Sequence, residues 1–336
     1  MNILKAILFL TGCFSFVLLS KAQTAAELQS TARVFSKQGD YANAVLVLNR
    51  AKQLDPVDME ITKDLALNYY YQRNNTTALE IIKPVLERAD VDDQSFQIAG
   101  NIYKQLSLPK ECEKLFKKGI KKLPLSGALY NELGELLWEQ KDFSAIKQWE
   151  KGIEVDPNYS KNYLNACKYY YLSAVKVWSI LYGEIFVNME PLNAGATEVK
   201  NILMESYKKL FANISLIKDN SDKSKFVQAF IETMNKQTAV AASGINAASL
   251  TMIRTRFILD WYKDNAIKFP FKLFDFQKQL LQDGLFDAYN QWIFGSVENL
   301  SAYQNWTKMN ADSYSEFSRF QKGRIFKIPA GQYYHM

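Results

Sequence analysis

Histidine is almost missing from this sequence: one of 336 residues, His335. Mechanisms that need an imidazole base, or a metal held by several imidazoles, have almost nothing to work with, so no enzyme, cofactor or metal centre is expected. Glycine and proline, at 14 and 8 residues, are far too few for a collagen-like chain. The apolar content is ordinary and the charges are spread along the chain, which excludes long disorder and a multi-span membrane protein. The most apolar stretch after the first 22 residues, Tyr169 to Met189, is broken by Lys176 and Glu184, and charges at bilayer depth are costly. Asp92-Asp93, and Asp219 with Asp222, lack the alternating oxygens and glycine of a calcium loop and read as solvated turns. No nucleic-acid recognition motif appears, and nucleic acid is not an expected partner. What remains is a globular chain long enough for about two domains of roughly 150 residues.

The first 22 residues read as an export signal. Lys5 precedes the uncharged run Ala6 to Leu19, and Ser20-Lys21-Ala22 sets small residues at the −3 and −1 positions of a cleavage site after Ala22. The run is short of the roughly 20 residues that cross a bilayer. Leu10-Thr11-Gly12-Cys13 is a rival lipobox, disfavoured because cleavage there exposes the apolar stretch Phe14 to Leu19. The expected location is therefore exported, periplasmic or associated with the cell envelope.

Internal repetition is the strongest signal in the rest. Gly39-Asp40-Tyr41-Ala42-Asn43-Ala44, ending at Leu54-Asp55-Pro56, is echoed by Lys141-Asp142-Phe143-Ser144-Ala145, ending at Val155-Asp156-Pro157. Pro56, Asp90, Pro124, Pro157 and Pro191 follow one another at spacings of 34, 34, 33 and 34 residues. They mark five units: 25–58, 59–92, 93–126, 127–159 and 160–192. The third carries Phe96, Ala99, Gly100, Tyr103, Cys112, Phe116, Gly119 and Pro124 in register, and the fourth Tyr130, Leu133, Gly134, Leu137, Ala145, Trp149, Gly152 and Pro157. The pattern resembles the tetratricopeptide repeat (TPR), over about half the chain.

Each such unit is a helix pair too small to bury its own apolar face. Small residues allow close approach, bulky ones fill the gaps, and proline ends the second helix. The resemblance implies an all-α fold: a right-handed α-solenoid of helix hairpins over 23–192, whose first helices line a concave groove, followed by an α-helical C-terminal domain over 193–336. Cys112 and Cys167 fall at small buried positions of different repeats and are expected as reduced core thiols.

Carrying the family's groove-lining positions onto this chain gives Arg33 and Lys37, Lys63, Tyr70 and Tyr71, Gln97, Asn101 and Lys104, Asn131, Glu135 and Trp138, and Lys168 and Tyr171, with Gln29, Leu67 and Lys161 beside them. This mixture of aromatic, amide and basic side chains suits an extended segment of a protein or peptide partner whose identity the sequence does not give. The alternative at these positions is a solvated helix face.

Beyond Leu192 the repeat phase is lost. Residues 23–191 carry 21 basic and 22 acidic residues, whereas 192–336 carry 18 and 13. Helical periodicity persists in Phe226, Phe230 and Met234 and in Ile253, Phe257 and Trp261. Gly284-Leu285-Phe286-Asp287-Ala288 resembles the turn of a further, degenerate repeat. The aromatics from Phe269 to Phe320 are expected as core filler in a cap on the stack. Arg319, Lys322, Arg324 and Lys327 form a basic tail that allows peripheral contact with the envelope. The sequence thus predicts an exported scaffold or adaptor. Its alternatives are a cell-envelope assembly factor resembling repeat-containing lipoproteins, and a glycan-binding or hydrolytic protein using C-terminal aromatics with Asp260 or Asp264 as acids.

Overall fold

The computed structural model describes residues 23–174, 176–213 and 224–334. The export signal with its cleavage after Ala22, Cys13, the acidic pair Asp219 and Asp222, and His335 lie outside them. Among the described residues all regular structure is helical, as predicted, and no helix is long and apolar enough to cross a membrane. The chain divides into two compact units, one up to Leu108 and one from Pro109 on.

The first unit holds α1 (Ala25–Lys37), α2 (Tyr41–Leu54), α3 (Met59–Tyr71), α4 (Asn75–Ile82), a 3-10 turn at Val85–Glu87 and α5 (Asp93–Gln105). Every helix start is fixed by a side chain. Thr24, Asp40, Asp58, Asn74 and Asp92 each accept the backbone N–H three residues on, and Thr24 with Glu27 completes a capping box. Successive helices pack as hairpins, and α3 also meets α1 and α5, which is the stacking of an α-solenoid. The core between α1, α2 and α3 is aliphatic: Leu28, Ala32, Ala44, Leu48, Ala51, Ile61 and Leu65 are all buried. The alanines bring the helix axes close enough for the leucines to interdigitate.

The turns repeat as the helices do. Gly39, Arg73, Ser107 and Lys141 all have positive φ, at 79°, 64°, 57° and 61°, and stand 34 residues apart. The residue after each returns its N–H to the carbonyl five residues back, as in Asp40 to Phe35 and Asn74 to Tyr69, both at 2.9 Å. This is the Schellman closure of a helix, which needs a left-handed residue. Gly284 (φ 72°), with Leu285 donating to the Leu280 carbonyl at 2.8 Å, has the same geometry, so the sequence echo at 284–288 is a true copy of the turn.

The second unit begins with α6 (Pro109–Lys122), α7 (Gly127–Glu139), α8 (Ala145–Val155), α9 (Ser160–Leu172) and α10 (Val177–Met189), and continues through α11 (Ala196–Asn213). These helices stack in order, α7 on α8, α9 on α10 and α10 on α11. Glycines set the spacing. A Cβ at Gly134 would overlap the Trp149 indole, one at Gly152 the Asn162 amide, and one at Gly183 the Cys167 sulfur. Cys112 and Cys167 are buried and neither is in a disulfide; burial pushes the Cys167 thiol up to about 12, which makes it inert.

There follow α12 (Lys225–Asn235), α13 (Thr238–Ala241), α14 (Ala247–Asp264), α15 (Lys272–Gln282), α16 (Phe286–Asn290), a π-helical turn at Gln291–Gly295, α17 (Ser296–Glu298), α18 (Leu300–Met309) and α19 (Ala311–Lys322). Of the aromatics expected as core filler, those from Phe269 to Phe294 and Phe317 are buried, together with Phe226, Phe230, Phe257 and Trp261, whereas Tyr303, Trp306, Tyr314 and Phe320 are only half-buried. Inside this core lies a polar hub. Glu184 of α10 takes hydrogen bonds from Arg254, from Gln277 at 2.6 Å and from Tyr289 at 2.7 Å, while Arg254 also donates to Asn290. Glu184 and Arg254 are each 1% exposed, and the guanidinium lies among the rings of Phe286, Tyr289 and Phe294. Such a pair persists because removing one member strands the other in a low dielectric.

Candidate functional site

On α1, Arg33 and Lys37 are four residues apart, and on α3 Asp64, Leu67 and Tyr71 follow at three and four, so each row lies along one helix face. Between these two rows and the start of α2 lies an open depression of about 490 Å3, lined by Arg33, Lys37, Tyr41, Asp64, Leu67 and Tyr71 among others. Tyr41 is the first residue of α2, placed there by the Gly39 turn and the Asp40 cap. Its ring centroid is 5.1 Å from that of Tyr71, which is 5.6 Å from Tyr70. Tyr71 remains 46% exposed, so the three rings form a shelf with a free face.

Beside the shelf, Arg33 Nε lies 2.7 Å from Asp64 Oδ2, which also accepts from Gln29 at 2.8 Å. The Arg33 side chain is half exposed. An ion pair with one partner so exposed is worth about 0–1 kcal/mol, so Arg33 can turn to a ligand at small cost. Lys37 is exposed. The depression thus offers an apolar aromatic surface flanked by donors and one acceptor, a set that suits the backbone and side chains of an extended segment.

The other residues expected on this face are differently placed. Lys63 is buried at 2% exposure, with Nζ 2.5 Å from both Glu60 and Asp92 and 2.8 Å from Gln94. Burial works against its charge, but the hydrogen bonds it donates to Asp92 and Glu60 outweigh that and leave the ammonium above its ordinary range. It is a strut between α3 and the start of α5. Asn101 is exposed and Gln97 and Lys104 half-buried on α5, and none of the three lines the depression.

In the second unit, Asn131, Glu135 and Asn165 form a ladder between α7 and α9. Asn165 Nδ2 donates to Asn131 at 2.9 Å and to Glu135 at 3.1 Å, and Asn131 Nδ2 to Glu135 at 3.0 Å. Trp138 is half-buried against Phe143, Trp149 and Tyr169. Lys168 pairs with Glu198 at 2.8 Å, and the Tyr171 ring lies under Lys209 at 4.0 Å. Here the expected residues chiefly contact one another and their neighbours.

Sequence reasoning missed Tyr41, Asp64 and Asn165. An aromatic at the same place in both turn copies, Tyr41 and Phe143, was the signal for the first. The C-terminal acids are each engaged by a neighbour: Asp260 accepts from Gln237 at 3.0 Å and Asp264 pairs with Lys236 at 2.9 Å. Among the described residues no three His, Cys, Asp or Glu side chains are grouped to hold a metal.

No family model and no curated protein matches the chain. Among solved structures it is similar to TTC0263, a thermophilic TPR protein of Thermus thermophilus, at 12% identity over 56% of this chain and 99% of that one, with a TM-score of 0.42. It is also similar to a tetratricopeptide repeat protein from Parabacteroides merdae, at 14% identity over 78% of this chain and 98% of that one, with a TM-score of 0.42. A third is YrrB, described as a TPR protein with an unusual peptide-binding site, at 16% identity over 53% and 92% of the two chains and a TM-score of 0.36.

Proposed function

We propose that the chain is an exported scaffold that holds an extended segment of a partner protein in the depression between α1 and α3, and acts by holding partners together. The observation that carries this reading is the half-exposed Tyr71 on its shelf with Tyr41 and Tyr70, next to the open Arg33–Asp64 pair and the exposed Lys37. An aromatic shelf takes a ligand's apolar side chain, and the flanking cations favour a segment with acidic residues.

A random-peptide display library selected on the full chain tests it. Binders recovered are expected to lose at least tenfold in affinity on Tyr71→Ala combined with Lys37→Glu. Unchanged affinity in that variant, folded by circular dichroism, removes the depression as the site. Export is the companion proposal, supported by Lys5, the run Ala6 to Leu19 and the Ser20-Lys21-Ala22 signature. The mass of the secreted chain is expected to start at Gln23. A mass corresponding to an acylated Cys13 start replaces this with an envelope-anchored assembly factor.

A further inference from the structure

The segment Arg324–Tyr334, after α19, has no helix or strand, yet it is held along its length. Arg324 donates to Gln279 at 2.7 Å, and Phe326 packs edge-on against Phe276. Ile328 is 2% exposed, and its backbone is gripped by one side chain: Asn158 Nδ2 donates to the Ile328 carbonyl at 3.2 Å while Asn158 Oδ1 accepts the Ile328 N–H at 3.0 Å. Farther along, Gln332 Oε1 accepts the N–H of Lys272 at 2.6 Å, one of the amides that the start of a helix leaves without an internal partner. The Tyr334 ring stacks on Phe226 at 4.6 Å and 4°, with Phe269 and Phe271 edge-on beside it. Its hydroxyl donates to the Pro270 carbonyl at 2.6 Å, and Ser224 Oγ donates to the Tyr334 carbonyl at 2.8 Å.

These are the contacts of a receptor with a peptide. An amide that uses its acceptor and its donor on the N–H and C=O of one residue reads extended backbone whatever the side chain. Selectivity then lies in two anchors, a buried aliphatic residue and an aromatic six residues on. Between them Pro329, Ala330 and Gly331 are exposed and contribute reach, while Gln332 adds its bond to the Lys272 amide. We propose that this channel, from Asn158 to the ring cluster of Phe226, Phe269 and Phe271, is a second peptide-binding site. Its ligand is an extended partner segment with an aliphatic residue and a tyrosine six residues on, and the chain's own strap is its resident occupant. Tethering gives the strap an effective concentration in the mM range, so a free segment enters when the strap is loosened. The site lies wholly in the second unit and stands independently of the depression between α1 and α3.

The test uses the full chain with Ile328→Asp and Tyr334→Ala, which withdraws both anchors of the strap and leaves the channel intact. The probe is a fluorescein-labelled peptide with the sequence of residues 324–334, followed by anisotropy. The double variant is expected to bind it at least tenfold more tightly than the unaltered chain, and adding Asn158→Ala is expected to reverse at least tenfold of that gain. A folded double variant with no gain, or no loss on Asn158→Ala, overturns the proposal. Should the double variant not fold, hydrogen exchange on the unaltered chain decides. Strap amides exchanging at least 100-fold faster than those of α14 and α15 support a displaceable occupant. Exchange in step with those helices overturns it.

Discussion

The first unit and the later part of the second bury their cores by different means. From α1 to α3 the core is alanine and aliphatic side chains, and the polar groups near it, such as Arg33 with Asp64, lie at a half-open surface. From α10 to α16 the core is aromatic and encloses a charge pair, with Glu184 joined to Arg254, Gln277 and Tyr289 across 70, 93 and 105 residues of sequence. Local repetition leaves a face free to meet a ligand. Long-range polar pairing locks a region together.

The largest effect that sharpens this contrast is Arg254→Met. It leaves the Glu184 carboxylate buried without its cation and is expected to cost about 3–5 kcal/mol, read from urea unfolding by tryptophan fluorescence. Arg33→Met in the first unit is expected to cost less than about 1 kcal/mol. Equal losses would erase the distinction between lock and open pair.

Next comes Lys200, buried on α11 with its Nζ 3.9 Å from the Trp292 ring centroid and donating to the Trp292 carbonyl at 2.9 Å. Burial pushes its ammonium down to about 8. The folded chain therefore gives up this proton before the unfolded chain does. The cost of the buried charge is complete below pH 8 and is relieved as the pH rises toward the ordinary lysine range. Relative to Lys200→Met, the unaltered chain is expected to gain roughly 1–3 kcal/mol between about pH 7.5 and 10, since each tenfold loss of proton affinity on folding is worth about 1.4 kcal/mol. A constant difference between the two thermal unfolding curves over that range would show that Lys200 stays charged.

Within the repeats, Gly134→Ala is expected to cost about 1–3 kcal/mol, because its methyl meets the Trp149 indole. An unchanged denaturation midpoint would mean the glycine is not what sets the α7–α8 distance. The smallest effect is at the turns. Lys141→Gly and Arg73→Gly are expected to stabilise by about 0.5–1 kcal/mol, and Gly284→Ala to destabilise by a similar amount, since all three positions have positive φ. Opposite signs in calorimetry would break the equivalence of the Gly284 turn with those of the repeats.

The same contrast explains what could be read from the residues alone. Repeat phase, small positions such as Ala44, Gly134 and Cys167, and the Gly284 turn were legible because each depends on neighbours within one repeat. The groove positions were not legible in detail. Lys63 lies where the family places a ligand-facing residue, yet Asp92, 29 residues on, draws it into a buried pair. The hub of Glu184 and Arg254, and the grip of Asn158 on Ile328 across 170 residues, left no periodic trace. Glu184 appeared simply as a charge interrupting an apolar stretch, and nothing singled out Arg254 beside Ile253 and Phe257.

The measurement that bears most directly on the proposed role is photo-crosslinking of a selected peptide from one position in each region. Benzoylphenylalanine replaces Tyr71 on the shelf of the first unit or, as the control, the exposed Leu259 on α14. Crosslinked product from position 71 and none from position 259 is the expected result. Product from 259 alone, or from neither while the peptide binds in solution, would contradict a binding face between α1 and α3.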